Sequence, residues 1–156
     1  MIILGIDPGT TTTGFAISEK NGNKINLIDY GILKTIPKVG IDLKLLEIGN
    51  DIRMLIEKYK PELVSIEKLY FTNNIKTGID VSHARGVIIY ECMKHNLKVL
   101  EYTPLEVKKG ITGNGKANKI QLQNAIKIIF KLKEIPKPDD AADAIGLSYI
   151  GALSNR

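Results

Sequence analysis

Residues Ile2–Ile6 form an uninterrupted apolar run that stops at Asp7-Pro8-Gly9, and this boundary constrains the fold more than any other feature of the chain. A short apolar run bounded by turn residues reads as a strand buried on both faces, the kind found in sheets covered by helices. Asp-Pro-Gly then ends the strand in a turn, because these residue types favour turn geometry. A second strand is expected at Thr12–Ser18 and a third at Ile25–Leu33, joined by a hairpin at Asn21-Gly22, two residues that tolerate positive φ. The chain therefore opens as a three-stranded antiparallel meander.

After the meander the periodicity changes. Leu45, Ile48, Ile52, Leu55, Ile56 and Tyr59 recur at spacings of three and four, which predicts a helix over 42–59 that Pro61 prevents from continuing. Leu63–Ile66 is again a buried strand, and like the first it ends in an acid, Glu67. A helix is expected from about Ile79 to Asn96, a strand over Leu97–Tyr102, and a short helix opened by the capping box Thr103-Pro104-Leu105-Glu106. Gly113-Asn114-Gly115 breaks that helix, a further one runs from Lys119 to Phe130, and Asp140–Leu153 closes the chain as an Ala-rich helix. An antiparallel three-strand start followed by alternating helices and strands predicts an α/β fold, a mixed sheet with helices on both faces.

The chain has 156 residues, 44% of them hydrophobic and 25% charged, which suits a single globular domain over 1–156. Cys92 is the sole cysteine, so no intrachain disulfide is expected and a reducing compartment is the natural setting. The N-terminal apolar run has no basic segment before it and no cleavage site after it, and no apolar run approaches the ~20 residues a bilayer span needs. A soluble, cytoplasmic protein without membrane association is expected.

The chemistry lies in the carboxylates. Two buried strands deliver Asp7 and Glu67 at their C-terminal ends, where open α/β sheets hold ligands. If the 42–59 helix returns the chain parallel to the first strand, these acids emerge side by side. Asp140 and Asp143 stand three apart, on one face of the last helix. Each acid alone has a structural reading, Asp7 as a turn residue, Asp140 as a helix cap and Glu67 as a solvated strand end. Four together repel one another unless a cation intervenes. Mg²⁺ suits an all-oxygen donor set, with Mn²⁺ an acceptable substitute, and two ions about 3.5–4 Å apart support phosphodiester hydrolysis.

The charge balance points the same way. Lys plus Arg number 22 against 17 Asp plus Glu, a net +5 and a pI near 9.2. Between Thr103 and Lys137 eight lysines face only Glu106 and Glu134, a local excess of six. Lys108, Lys116 and Lys119 flank the Gly-rich loop and are candidate phosphate contacts, whereas Lys127, Lys131 and Lys133 also fit a solvated helix face. Tyr70 and Phe71 follow Glu67 in a polar loop, where an exposed ring stacks on an unpaired base or else packs in the core. His83 and His95 lack the partner spacing of ligands or bases and read as structural.

The segments Gly5-Ile6-Asp7-Pro8-Gly9-Thr10, Ile66-Glu67-Lys68-Leu69-Tyr70, Ala84-Arg85-Gly86, Thr112-Gly113-Asn114-Gly115 and Asp140-Ala141-Ala142-Asp143-Ala144 resemble, in order and along essentially the whole chain, the RuvC family of Holliday-junction resolvases. The resemblance implies a ribonuclease-H-like fold, the four metal-binding catalytic acids at Asp7, Glu67, Asp140 and Asp143, and Tyr70 as the stacking aromatic. It also singles out Lys108 and Lys119 as basic positions, and implies a homodimer acting on four-way junction DNA together with the RuvA and RuvB branch-migration proteins. Asp139 is an extra acid that shares a helical face with Asp143, and the Asp-x-x-Asp spacing favours Asp140 over it. A nucleotide-binding domain of the actin and Hsp70 type also carries Asp-x-Gly-Thr after a first strand, but two such domains are needed to enclose a nucleotide. A two-fold substrate needs two acidic sites, hence two copies of the chain, expected to meet on the 79–96 helix through Val81, Ala84, Val87, Ile88, Ile89 and Cys92.

Overall fold

A computed structural model of the chain describes residues 1–69 and 75–154. Strands β1 (Ile2–Asp7), β2 (Thr12–Asn21) and β3 (Lys24–Lys34) form the antiparallel meander. Helix α1 (Ile41–Tyr59) crosses over to β4 (Leu63–Glu67), and α2 (Ile75–Lys94) to β5 (Lys98–Tyr102), both strands parallel to β1. Helices α3 (Pro104–Thr112), α4 (Lys119–Ile129) and α5 (Asp139–Ser154) complete the chain. The sheet order is β3-β2-β1-β4-β5, so β1 and β4 lie at its centre.

The two-residue period of β1 decides which helix meets which residue. Leu4 and Ile6 pack with Ile17, Val64 and Ile66 against Ile48, Ile52 and Ile56 of α1 and Ala84, Ile88 and Cys92 of α2. Ile3, on the opposite face, packs with Leu63 and Ala152 of α5. Each fully buried Ile or Leu contributes about 1.5–3 kcal/mol, and both faces of the central strands carry them. This is why β1 reads as continuous apolar sequence instead of alternating.

Most element ends fall within one or two residues of the sequence expectation, but β2 runs three residues beyond the expected Ser18, and the hairpin centre and the start of α2 differ as well. The hairpin turns on Gly22-Asn23, one residue later than expected, with Asn21 still paired to Lys24. Only Gly22 is left-handed, at φ +59°, the pattern of a two-residue turn with glycine first. Helix α2 begins at Ile75, four residues before the expected start, because the polar Lys76-Thr77-Gly78 stretch carries no apolar period to mark it. Helix α1 ends as Pro61 required, with Lys60 in the left-handed region donating its N–H to the Ile56 carbonyl.

Candidate active site

The parallel register aligns Ile6 with Ile66, so the next residues, Asp7 and Glu67, stand at neighbouring strand ends. Both belong to the face that meets α5, the face of Ile3 and Gly5 on β1 and of Ser65 on β4. Helix α5 approaches that face closely because glycines stand on β1 and β2 where the helix crosses them. A Cβ at Gly5 would lie 2.2 Å from the Ala144 carbonyl oxygen, and one at Gly14 would lie 2.0 Å from that of Asp140. The Ser65 hydroxyl donates to the Leu147 carbonyl at 2.6 Å, and the Ser18 and Ser148 hydroxyls are 2.7 Å apart, fixing the helix along its length. The N-terminal turns of α5 therefore sit over the ends of β1 and β4, carrying Asp140 and Asp143 with them.

All four acids are partly buried. The Asp7 and Glu67 carboxyls lie close together, near enough for a proton held by Asp7 to be hydrogen-bonded to Glu67. Burial, then the charge of Glu67, that hydrogen bond, and the charges of Asp143 and Asp140 push the Asp7 carboxyl far above the ordinary carboxylate range. Burial also pushes Asp143 up to about 6, against the opposing pull of Lys119, with Glu67, Asp139 and Asp140 adding to the rise. A group of neighbouring acids in which Asp7 keeps its proton at neutral pH has the electrostatics of a cation site. Its donors are all oxygens, the set that suits a hard divalent ion. Among the described residues, however, no three acids close around a single point, and the Asp7–Glu67 contact occupies oxygens that a cation would need.

Two of the acids, Glu67 and Asp143, border an open cleft of about 240 Å³ that is also lined by Lys108, Lys119, Pro104, Val107, Leu122 and Leu147. The expected capping box aims its wall: the Thr103 hydroxyl accepts from the Glu106 N–H while Glu106 accepts from the Thr103 N–H. A second box, absent from the expectations above, starts α4, with Asn118 and Gln121 bonded reciprocally. The Asn-x-x-Gln spacing is its signal. Between the boxes Gly113 caps α3 at φ +76°, which only glycine adopts without strain. Lys108 and Lys119 thus face the acids across the cleft, whereas Lys116 is exposed in the loop and does not line it.

Asp139 is the first residue of α5, and its carboxylate is bonded to Lys119 and Gln123, partners with no local signature because they lie on another helix. Tyr70 and Phe71 lie outside the described residues. Cys92 is buried, with its thiol pushed up to about 12 by burial and the charge of Glu91, consistent with core packing. Of the α2 residues expected at an interface, Ala84, Ile88 and Cys92 are core and Val87 and Ile89 lean on it. Among the described residues of α2, the large apolar ones that are exposed are Ile79, Tyr90 and Met93, which share a helical stripe with exposed Gly86. The patterned positions were those of the core-facing side, and the outer stripe is too interrupted to register as a period.

A family model described as crossover junction endodeoxyribonuclease RuvC matches residues 3–150. The protein of that name from Halothermothrix orenii is 47% identical over 156 residues, covering 100% of this chain and 94% of its own. The one from Petrotoga mobilis is 46% identical over 149 residues, covering 96% and 91%. Among solved structures, the RuvC of T. thermophilus in complex with Holliday junction substrate matches with a TM-score of 0.93 at 27% identity, covering 100% of this chain and 95% of that one. The mixed sheet with its antiparallel start is thus the ribonuclease-H-like fold expected from the sequence.

Proposed function

Because this chain belongs to the RuvC family of crossover junction endodeoxyribonucleases, we propose that it resolves four-way DNA junctions in recombination and repair by symmetric paired nicks, with Asp7, Glu67, Asp140 and Asp143 as its catalytic acids. One observation supports the reading: Asp7 and Glu67 close neighbouring strands beneath the start of α5, and the Asp7 and Asp143 carboxyls are raised by burial and by the charges of the neighbouring acids. Mg²⁺ bound by these acids, as two ions and replaceable by Mn²⁺, would activate a water and stabilise the leaving oxygen of the scissile phosphodiester.

The protein's own groups do the rest. Asp7 would give up its proton to serve, with Glu67, as a ligand. Asp140 and Asp143, three residues apart on one face of α5, would complete the donor set. Lys108 and Lys119 hold the phosphate backbone across the cleft, and Lys116 extends the grip along the loop, by charge that is not sequence-selective. Tyr70 stacks on a base unpaired at the junction, and Phe71 is the alternative should Tyr70 pack instead.

The two-fold symmetry of a four-way junction calls for two copies of this one-site chain, so the working form is a homodimer. Its interface uses the outward stripe of α2 at Ile79, Gly86, Tyr90 and Met93. RuvA and RuvB would present the junction to it. A cytoplasmic location accords with this, and among the described residues no helix is long and apolar enough to cross a membrane.

The deciding experiment incubates the protein with a synthetic four-way junction, with and without Mg²⁺, beside a matched linear duplex. Mg²⁺-dependent paired nicking of the junction alone is expected. Equal cutting of both substrates, or cutting in the presence of excess chelator, overturns the reading. A protein that sediments as a monomer at micromolar concentration and releases only singly nicked cruciform plasmid overturns the dimer.

A further inference from the structure

The segment Ala84-Arg85-Gly86 has a motif's regularity but no part in the chemistry so far. In the fold, Arg85 projects from α2 to the end of β4, where its Nε donates to the backbone carbonyl of Glu67 at 3.0 Å. Its Nη2 simultaneously meets the Glu101 carboxylate on β5. The arginine side chain is mostly buried, at 18% exposure.

The β-ladder explains why that carbonyl needs an outside donor. Lys68 donates its N–H to the Tyr102 carbonyl on β5 at 2.8 Å, so Lys68 faces β5 and Glu67, one residue earlier, faces β1. Ile6 pairs with Ile66, so continuing the parallel ladder would bring the Glu67 carbonyl its N–H from residue 8. Residue 8 is proline and has none. The strand end that carries Glu67 is left with an unpaired carbonyl, and a buried polar group without a partner destabilises its surroundings. Arginine fits the vacancy. Its planar fork serves two acceptors on two strands at once, which a lysine ammonium on a single flexible stem does not do with the same geometry.

We propose that Arg85 is a positioning residue for Glu67, substituting for the ladder donor that Pro8 lacks and tying the strand end to β5 through Glu101. It touches neither substrate nor reacting atoms. It fixes the backbone from which the Glu67 carboxylate reaches Asp7, and from which the chain departs toward Tyr70. The inference rests on Glu67 being a catalytic acid.

The test uses Arg85→Lys, which keeps the charge and most of the bulk, so the protein should fold. Expected are a roughly tenfold to hundredfold lower single-turnover cleavage rate, a higher Mg²⁺ concentration for half-maximal rate, and junction affinity within about twofold of wild type. Weaker Mg²⁺ binding by calorimetry without DNA should accompany them. Pro8→Ala restores an N–H at residue 8 and should recover part of the rate in the Arg85→Lys background, an effect that poorer packing alone does not predict. Glu67→Gln separates the two levels of the argument. If Glu67→Gln cleaves normally, the assignment of Glu67 fails first. If Glu67→Gln is inactive while Arg85→Lys keeps wild-type rate and Mg²⁺ requirement, the positioning role fails alone. A slow Arg85→Lys with unchanged Mg²⁺ binding and no recovery by Pro8→Ala also overturns it.

Discussion

The ammonium of Lys119 lies 2.5 Å from Oδ2 of Asp139, and the Gln123 side-chain amide donates to Oδ1 of the same carboxylate at 2.7 Å. Both oxygens of the extra acid are therefore engaged by α4. Lys119 first, then Gln123, hold the Asp139 carboxyl below the usual carboxylate range, opposite in direction to Asp7 and Asp143. One stretch of α5 thus bears acids with opposed environments.

Asp139→Asn should consequently retain Mg²⁺-dependent cleavage. Its melting temperature should change little, because an ion pair about half exposed on both sides contributes little net stability. Junction-cleavage time courses across a Mg²⁺ series check this. Loss of cleavage at every Mg²⁺ concentration would move Asp139 into the acid cluster.

Asp7→Asn should abolish cleavage, leave junction binding nearly intact, and stabilise the metal-free protein at neutral and alkaline pH. The sign follows from linkage. A carboxyl raised in the folded state binds its proton more tightly there than in the unfolded chain. Its stabilising contribution is full below about pH 4 and disappears as pH rises through the folded value. For Asp143 that window runs from 3.8 to about 6, a difference on the order of 2–3 kcal/mol. For Asp7 it extends higher. The gap in metal-free melting temperature between Asp7→Asn and wild type should widen with pH. A gap that closes as pH rises contradicts the argument.

Gly14→Ala should weaken both stability and catalysis. The added Cβ would meet backbone, the Asp140 carbonyl oxygen at 2.0 Å and its carbon at 2.5 Å, so the start of α5 must move outward. Overpacking of this kind costs about 1–3 kcal/mol. The displaced turn bears Asp140, so the cleavage rate should fall even at temperatures where the variant is fully folded. Wild-type rate and melting temperature together would show that α5 does not rest on this close approach.

Replacing Lys108, Lys116 or Lys119 with alanine should lower the slope of log junction affinity against log salt by about 0.9 for each phosphate that is no longer neutralised. Binding titrations from low to moderate salt measure it. If all three slopes match wild type, DNA lies on another surface.

Much of the fold was legible locally. The apolar run of β1, the three- and four-residue spacing of α1, the Thr103 capping box and the acids closing β1 and β4 each depend on residues near one another in the chain. Backbone sterics and side-chain periodicity act over such distances. The α2 boundary and the hairpin centre were misjudged where those local signals are weakest, at a polar helix start and between two turn-prone residues. The role of Arg85 was absent from the pattern altogether, since Pro8, Glu67 and Glu101 meet it only after the β-ladder sets their register.

The sequence by itself determined which residues can carry this chemistry: acids at the ends of two buried strands and an Asp-x-x-Asp turn at the head of the last helix. Only the tertiary structure decided that Asp7 and Glu67 stand at neighbouring strand ends beneath the start of α5, that burial raises the Asp7 carboxyl, and that Asp139 is diverted to Lys119. Register across β1 and β4 aligns the first pair. Glycines at 5 and 14 let α5 descend onto the sheet. Burial then turns that proximity into raised carboxyl pKa values, because like charges drawn together out of water are stable only when protons or a cation neutralise them.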